Sequence, residues 1–366
     1  MGSPLGWEGQ EYRTTMGTML PASSIFNPRV SVIVTAHDRL SYLARALSSV
    51  AGQSLSPTEF EVIVVTNLDV DQIRPIVADP RVQIITEVSA SLGQKIATAF
   101  RHTRGEVICL LEDDDAFTPD KLSTVLAEFA HDAQLGYFHN HYSLMGPDDR
   151  SFPPSRFRAR TDRLLHARGQ VRIQPETRWN AVHQLRGIYP EFNNSCISVR
   201  REMLERSIHL LPIADLATDQ FLLLLALRSP WTIVLDPRRL TKVRLHVANT
   251  SHISQESRVV APHGLLEVSQ RNAHAIEALG DPLKEGQPHD YCQIVDSVIA
   301  VERTLLDLRG AEIRRARYRE AFRQLFRFRS SYVIQTRYPL LIMVGMAIFS
   351  PAVALSLYRT VAGQIS

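Results

Sequence analysis

Four acidic residues follow directly on an apolar segment in the first third of the chain. The segment Ile108–Leu111 leads into Glu112–Asp115, and Phe117 then resumes the apolar character. Like charges so close together repel one another, so they need a neutralising partner. Carboxylate oxygens suit Mg²⁺ and Mn²⁺, and Mg²⁺ is usually held by one or two carboxylates together with substrate phosphates. The cluster predicts a divalent-metal site, with a solvated acidic turn as the alternative.

The segments before and after these acids alternate between two kinds of pattern. Short β-branched runs predict strands at Val30–Thr35, Phe60–Thr66, Val82–Thr86 and Glu106–Leu111, and apolar residues at helical spacing separate them. This alternation predicts a parallel sheet covered by helices on both faces. Ligands of such sheets bind beyond the carboxyl ends of the strands, and the four acids occupy one such end.

The second half of the chain has a less regular pattern. Further strands are predicted at Leu135–Leu144, Cys196–Val199 and Trp231–Leu235, and a buried helix at Asp219–Leu227. The stretch from residue 146 to residue 177, rich in Arg and containing Pro and Gly, is predicted to be a long loop or a small insertion. Residues 255–329 show a mostly helical pattern.

Three segments together resemble a family 2 glycosyltransferase with a GT-A fold. They read VSVIVTAHDR, FEVIVVTN and SLGQKIATAFRHTRGEVICLLEDDDAFTPDKL, and the resemblance is close from Val30 to Leu122 and looser to about His252. It implies an α/β fold of the GT-A type, a Rossmann-like mixed sheet with helices on both faces. It also implies a nucleotide-sugar donor.

In that family the acids form a DXD motif that holds a metal ion on the donor diphosphate, where the metal acts as a Lewis acid for the leaving nucleoside diphosphate. Two registers fit this chain, Glu112 with Asp114 or Asp113 with Asp115. We favour Asp113 and Asp115 as ligands of Mn²⁺ or Mg²⁺, with Asp114 beside the donor.

The segment KVRLHVANTSH is similar to the late Arg-x-His segment of the family. It implies that His246 completes the metal shell or touches the diphosphate, and that Arg244 pairs with phosphate. A structural histidine on a strand is the alternative.

The resemblance also implies a nucleotide-binding loop after the first strand. Where the family usually has Pro-x-Tyr-Asn, this chain has Thr35, Ala36, His37 and Asp38, and His37 could stack on the base. The second family loop is usually acidic, but here it reads Thr66-Asn67, which leaves the base identity open. Lys95, on the helix before the acidic strand, either reaches phosphate or is a solvated helix lysine.

An inverting transferase needs a general base for the acceptor hydroxyl. The family supplies it from an acidic motif at a helix start, and ATDQFLLLLAL implies Asp219 for that role. The alternative role is helix capping, because an Asp before an apolar helix satisfies free N–H groups. The two roles are compatible.

Composition excludes several other classes of protein. A formal net charge of +3 on 366 residues gives no general nucleic-acid signal. Three widely spaced cysteines without a CxxC argue against a disulfide framework or a zinc site and fit a reducing compartment. The P-loop and GxGxxG motifs are absent. A nucleotidyltransferase, which would be expected to carry a Gly-rich basic loop after its first strand, and a non-catalytic membrane-tethered scaffold remain as alternatives.

The C-terminal part predicts contact with a membrane. Tyr338–Leu357 carries no charge, and a helix of that length would span roughly 30 Å of hydrocarbon. Arginines crowd residues 314–337 before it, which places that side in the cytoplasm by the positive-inside rule. Pro351 also allows a re-entrant or interfacial segment, and a buried C-terminal helix is the remaining alternative.

This pattern gives four predicted regions and a substrate class. The regions are an N-terminal extension (1–27), a GT-A catalytic domain (28–254), a basic helical region (255–334) and a transmembrane or re-entrant helix (335–360). We expect a lipid-linked acceptor at the membrane, with the catalytic domain on the cytoplasmic side. GDP-mannose is favoured as the donor by analogy, and a UDP-sugar is the second candidate.

Overall fold

A computed structural model describes residues 27–37, 39–77, 79, 81–153, 156–246, 262–309, 315–350, 353–354 and 357. Asp38, one of the predicted nucleotide-binding residues, lies outside the described residues. The predicted N-terminal extension also lies outside them, apart from Asn27.

The described residues include ten strands that form one sheet. Apolar β-branched runs build its central strands, which are buried along nearly their whole length. The strands are β1 Val30–Ala36, β2 Phe60–Thr66, β3 Val82–Thr86, β4 Val107–Glu112, β5 Ala116–Phe117, β6 Leu135–Met145, β7 Ser151–Phe152, β8 Val171–Ile173, β9 Ile197–Arg200 and β10 Thr232–Arg244.

The sheet is mixed, with the order β3-β2-β1-β4-β9-β6-β10-β5. Strands β3, β2, β1 and β4 pair in parallel, and β10 is parallel to β6. The antiparallel strand β9 separates β4 from β6. The carboxyl ends of the parallel strands therefore meet at one edge, as the alternating sequence pattern predicted.

Helices cover both faces of this sheet. Their bounds are α1 Leu40–Ala51, α2 Val70–Ile73, α3 Leu92–Phe100, α4 Lys121–His131, α5 Arg156–Arg168, α6 Arg178–Ala181, α7 Arg201–Glu205, α8 Leu211–Ala214, α9 Thr218–Arg228, α10 Pro262–Lys284, α11 His289–Arg309, α12 Arg315–Arg327, α13 Tyr332–Thr336 and α14 Tyr338–Phe349.

Alternate side chains of each central strand enter two different cores. Val32 and Val34 of β1 join the core under α1 and α4, whereas Ile33 joins the core beneath α3 and α9. This follows from the two-residue period of a strand. Helices α10, α11, α13 and α14 pack into the second core. The C-terminal helices thus share a core with the sheet rather than forming one of their own.

A glycine sets the distance between α3 and α8. A Cβ on Gly93 would lie 1.8 Å from the carbonyl oxygen of Leu211, so only a residue without a side chain fits there. The amide of Gly93 also donates to the carbonyl oxygen of Asp215, at 2.8 Å. Close backbone contact of this kind is a common reason for a glycine inside a helix.

The described residues do not support the predicted membrane-spanning helix over Tyr338–Leu357, part of which lies outside them. Among the described residues, no helix has both the length and the apolar character needed to cross a bilayer. Helix α14 has 12 residues and reaches about 18 Å, against about 30 Å of hydrocarbon. It ends before Ser350, which is extended (φ −143°, ψ 91°). Pro351 explains this, because proline disfavours helical geometry in the preceding residue.

Two other segments differ from the sequence-based expectation. The stretch at residues 146–177, predicted to be a long loop or a small insertion, contains β7, the 13-residue helix α5 and β8. The predicted strand Trp231–Leu235 is the start of β10, whose 13 residues continue to Arg244 through irregular pairing with β6. This longer strand carries Arg244 to the edge where the acids lie.

Candidate active site

The acids and the first loop meet where β1 and β4 end side by side. Thr35 stands opposite Glu112 in the parallel register, and the Asp113 amide donates to the Thr35 carbonyl at 3.1 Å. The backbone amide of His37 in turn donates to Asp113 Oδ2 at 2.8 Å. Thr35 and Ala36 are buried within β1, so His37 is the first residue of the loop to leave the sheet.

A polar turn before β9 holds two of the acids with neutral donors. Asp115 Oδ2 accepts hydrogen bonds from Asn193 Nδ2 at 2.9 Å and from Ser195 Oγ at 2.7 Å. Glu112 Oε1 accepts one from Asn194 Nδ2, also at 2.9 Å. Sequence analysis missed these residues, although the run Asn193–Ser195 directly precedes an apolar strand much as the acids follow one. The turn fixes the carboxylates without neutralising them.

Three of the four acids form a candidate metal site. Ligand oxygens of Glu112, Asp114 and Asp115 all lie within 4.8 Å of one another. Asp115 of the favoured pair belongs to this group, but Asp113 faces the His37 amide instead. His246 lies at the margin of the group, with its Nε2 3.0 Å from Asp114 Oδ2. The choice of ligands between the two registers stays a prediction.

Arg39 is the cation closest to these carboxylates among the described residues. Its guanidinium nitrogens lie 2.7 Å from Asp113 Oδ1 and 2.6 Å from Asp114 Oδ2. Sequence analysis did not select this residue, although it immediately follows the predicted nucleotide loop. Its positive charge partly neutralises Asp113 and Asp114.

The electrostatics of the cluster favour an additional cation. Burial raises the pKa of Glu112 to about 7 and that of Asp113 to about 6, and the negative charge of Asp114 adds to both effects. Burial, Asp114 and Glu112 also raise the pKa of Asp115 well above its usual range. The pKa of Asp114 is lowered, because the contacts of this carboxylate with His246 and Arg39 outweigh the opposing effect of burial. Three desolvated oxygen ligands with this excess of negative charge fit a divalent cation.

The predicted nucleotide-binding residues lie together beside the acids. The Nδ1 of His37 is 2.9 Å from Asn67 Oδ1. Lys95 is buried, and its Nζ donates to the Ala36 carbonyl at 2.8 Å and to Asn67 Oδ1 at 3.1 Å. In this arrangement Lys95 braces the loop that carries His37. Its predicted contact with phosphate stays a prediction.

Asp219 lies in the first turn of α9 and is linked to the acidic cluster. Its neighbour Thr218 donates to Asn194 Oδ1 at 3.0 Å, and Asn194 in turn donates to Glu112. The N-cap position of α9 is Ala217, which has no capping side chain. Asp219 instead accepts from the amide of Gln220 at 2.7 Å, so it satisfies one free N–H group of the helix.

Burial raises the pKa of Asp219 to about 7, and the negative charges of Glu191 and Glu112 add to this rise. The hydrogen bond from Gln220 acts in the opposite direction but is outweighed. A base with a pKa near the working pH suits proton abstraction. Two other acids, Asp215 and Glu191, are already paired with arginines. Asp215 forms two hydrogen bonds with Arg271, at 2.7 and 2.6 Å, and Glu191 lies 3.4 Å from Arg337.

Arg244, the other residue of the late Arg-x-His segment, is fully buried. Its backbone amide donates to Asp115 Oδ1 at 3.0 Å, its Nε donates to the Asp114 carbonyl at 2.8 Å, and its Nη2 pairs with Asp149 at 2.6 Å. These contacts show that Arg244 shapes the backbone of the acidic turn. Its predicted contact with phosphate stays a prediction.

A family model matches the part of the chain that contains the acids and the loop of His37, but not Asp219, Arg244 or His246. The family model described as Glycosyl transferase family 2 matches residues 31–205, just under half of the chain. An uncharacterized glycosyltransferase of Nostoc sp. (strain PCC 7120 / SAG 25.82 / UTEX 2576), alr2836, is 24% identical over 191 residues, which cover 50% of this chain and 55% of that protein. Chondroitin synthase of Escherichia coli is 30% identical over 113 residues, which cover 30% of this chain and 16% of the relative. The chain therefore spans about half or less of the length of these relatives.

Solved structures show the same architecture. The structure of residues 1–349 of S. aureus TarS in complex with UDP matches 91% of this chain and 90% of its own, with a TM-score of 0.51 and 17% identity. The corresponding complex with UDP-GlcNAc matches equally well at 18% identity. At this identity the likeness shows the fold, a mixed α/β sheet consistent with the GT-A type. Residues 31–205 are therefore similar in sequence to family 2 glycosyltransferases, and the described chain shares the fold of the solved structures.

Proposed function

We propose that this protein is an inverting, metal-dependent glycosyltransferase that moves a sugar from a nucleotide-sugar to an acceptor hydroxyl. The observation that carries the proposal is the cluster of Glu112, Asp114 and Asp115, which lies beside the loop ending in His37. Thr218, the residue before Asp219, is hydrogen-bonded to Asn194, which donates to Glu112 of the cluster. The proximity of the candidate metal ligands, the predicted nucleotide loop and the candidate base supports the proposal.

The residues would divide the reaction between them. His37 and Asn67 would contact the nucleotide, and Lys95 would keep their loop in place. Asp219 would accept the proton of the acceptor hydroxyl as its oxygen bonds to the anomeric carbon. The bond from that carbon to the diphosphate breaks on the opposite face, so the configuration inverts. A divalent cation bound by the acidic cluster would supply Lewis acidity for the departing diphosphate.

Donor and acceptor are the finer part of the proposal. By analogy with family members, GDP-mannose is the first donor to test and UDP-sugars are the second. The loop Thr66-Asn67 lacks the acids by which family members usually hold the base, so it leaves the base identity open. We propose a lipid-linked acceptor and a catalytic domain on the cytoplasmic side of a membrane. The arginines at residues 314–337 and the apolar segment after them support contact with an anionic membrane surface, as on the cytoplasmic leaflet.

A thermal-shift screen of GDP and UDP, with and without Mn²⁺, tests donor binding. We expect one nucleotide to raise the melting temperature and Mn²⁺ to enlarge the shift, because a ligand that binds only the folded state stabilises it. Incubation with the matching nucleotide-sugar then tests the chemistry. Release of nucleoside diphosphate that needs the metal supports the transferase. Release of pyrophosphate from a nucleoside triphosphate would support a nucleotidyltransferase, and the absence of turnover a scaffold.

A further inference from the structure

The outer surface of the last described helix is apolar. Tyr338, Ile342, Met346 and Phe349 are exposed, and their spacing puts them on one side of α14. The opposite side of the helix packs into the core through Leu340, Leu341, Met343, Val344 and Ala347. A helix at a water-facing surface usually has a polar outer side, and an all-round apolar helix is usually buried or in contact with lipid.

This surface continues onto α12. Gly345 adjoins Phe322 so closely that a Cβ on the glycine would lie 3.2 Å from Phe322 Cε2. Phe322 stacks on Phe326, with ring centroids 5.8 Å apart and planes inclined by 15°, and Phe326 is exposed. We call Tyr338, Ile342, Met346, Phe349 and Phe326 the C-terminal apolar face. Exposed apolar residues grouped in this way mark interaction sites more often than isolated ones do.

Arginines border this face on the α12 side. The guanidinium of Arg329 lies 4.5 Å from the centroid of the Phe326 ring, and Arg323 is three residues before Phe326, on a neighbouring part of the helix surface. Glu320 is the only acid within Arg315–Arg327, and it pairs with Arg323 at 2.6 Å. The exposed arginines of this border are Arg319, Arg323, Arg327 and Arg329.

We propose that the C-terminal apolar face docks on an anionic membrane surface. The apolar side chains would enter the boundary between headgroups and acyl chains, and the bordering arginines would contact anionic headgroups, which is the pattern of interfacial helices. A convex helix surface needs no complementary groove to bind in this way. Pairing of two copies through this face is disfavoured, because a two-fold interface would bring the same arginines together.

The position of the face suits the proposed acceptor. Arg337, the residue before α14, lies 3.4 Å from Glu191, which is two residues before Asn193 of the acidic site. Helix α14 therefore begins on the side of the molecule where α9 carries Asp219. The docking proposal itself does not rest on the transferase activity, because it can be tested without donor or metal.

Vesicle sedimentation with the full chain tests the proposal. We expect co-sedimentation with vesicles of phosphatidylcholine containing about 30% phosphatidylserine, weaker binding to pure phosphatidylcholine, and release at about 0.5 M salt. The double variants Ile342→Asp/Phe349→Asp and Arg319→Glu/Arg323→Glu should each weaken binding to the anionic vesicles at least about tenfold. The comparison of the two vesicle types requires no variant and is independent of any folding defect.

Two exposed residues elsewhere provide matched controls. Val88 is 83% exposed and Phe349 82% exposed, so Val88→Asp introduces the same charge at an equally exposed apolar position. The side chain of Arg206 is 76% exposed and pairs with Glu202 on its own helix, and that of Arg323 is 72% exposed and pairs with Glu320. Arg206→Glu is therefore the control for the charge reversal at Arg323. Both control variants should bind anionic vesicles as strongly as the wild type does.

Three outcomes would overturn the proposal. In the first, the wild-type chain stays in solution with anionic vesicles at low salt. In the second, the two double variants bind as well as the controls. In the third, the chain forms a dimer that Ile342→Asp dissociates, which would assign the face to a second copy of the chain.

Discussion

The acidic site and the border of the C-terminal apolar face differ in the burial of their charged side chains and in the sequence separation of their partners. The site buries its carboxylates and holds them with partners far away in sequence, such as His246 for Asp114 and Asn193 for Asp115. The border of the apolar face exposes its arginines, and Arg323 pairs only three residues away. The site therefore depends on the whole fold, whereas the basic border needs only one helix to form. Chemistry and surface attachment should accordingly be separable by mutation.

The largest effect is expected at the acids themselves. Asp115→Asn and Asp114→Asn should each reduce sugar transfer by about 10³-fold or more, because metal-ion catalysis supplies several kcal/mol. Asp113→Asn should cost less, since Asp113 faces the His37 amide and Arg39 rather than the other three acids. Measurements of turnover, and of Mn²⁺ affinity by calorimetry, compare the three variants. An equally large loss of turnover in Asp113→Asn would support Asp113 and Asp115 as the metal ligands. Anionic vesicle binding should not change.

Replacement of the candidate base should give the next largest effect. Asp219→Asn should lower turnover at least about a hundredfold and leave donor affinity nearly unchanged, because general-base catalysis contributes about 10² to 10⁴. Asp215→Asn is the control, since it weakens the pair with Arg271 and should lower stability rather than turnover. Kinetics and melting temperatures of both variants decide the matter, and normal turnover in Asp219→Asn would eliminate Asp219 as the base.

The pH dependence offers a graded form of the same test. The raised pKa of Asp219, about 7, means that the ionised base is lost as the pH falls through that value. The wild-type kcat should therefore decline by about tenfold per pH unit below 7, where a single group must be ionised. At saturating Mn²⁺, which keeps the acidic cluster ionised, the residual activity of Asp219→Asn should not follow this dependence. A wild-type profile that is flat between pH 5 and 8 would contradict the assignment.

The smallest expected effect is on the free energy of unfolding, and it should differ between the buried and the exposed side of α14. Val344 is fully buried, so Val344→Ala should lower the free energy of unfolding by about 1.5 kcal/mol, the value of two lost methyl groups. Ile342→Ala on the exposed side should change it by less than about 0.5 kcal/mol. Chemical denaturation without detergent measures both values. Equal losses of stability in the two variants would mean that α14 does not bury one side and expose the other in solution.

Sequence patterns predicted the central sheet closely, because local rules determine it. Strands β2 and β3 were predicted with the bounds that the structure shows, since each is a β-branched run with polar residues on both sides. Helix α5 was missed. Its sequence, RFRARTDRLLHAR, has many arginines and no clear apolar stripe, and periodicity detects only helices that bury one side.

The site was predicted less completely, because its geometry depends on long-range contacts. The sequence located the four acids, the loop around His37 and the helix of Asp219. It could not show that Arg39 approaches Asp114, or that Asn193 approaches Asp115, because no local spacing relates residues 75 and 78 positions apart. The twelve uncharged positions of α14 looked like part of a membrane span because hydropathy does not distinguish lipid from a protein core.

The contact at Gly93 has a consequence for how the reaction could be tuned. Lys95, which braces the predicted nucleotide loop, follows Gly93 by two residues. The amide of Gly93 contacts the carbonyl of Asp215, and Asp219 follows Asp215 by four residues. The absence of one methyl group thus lets the segment that carries Lys95 pack directly against the segment that leads to Asp219. A larger residue at position 93 would have to separate these two segments. We therefore expect a substitution at position 93 to disturb the proposed donor contact and the proposed proton removal together.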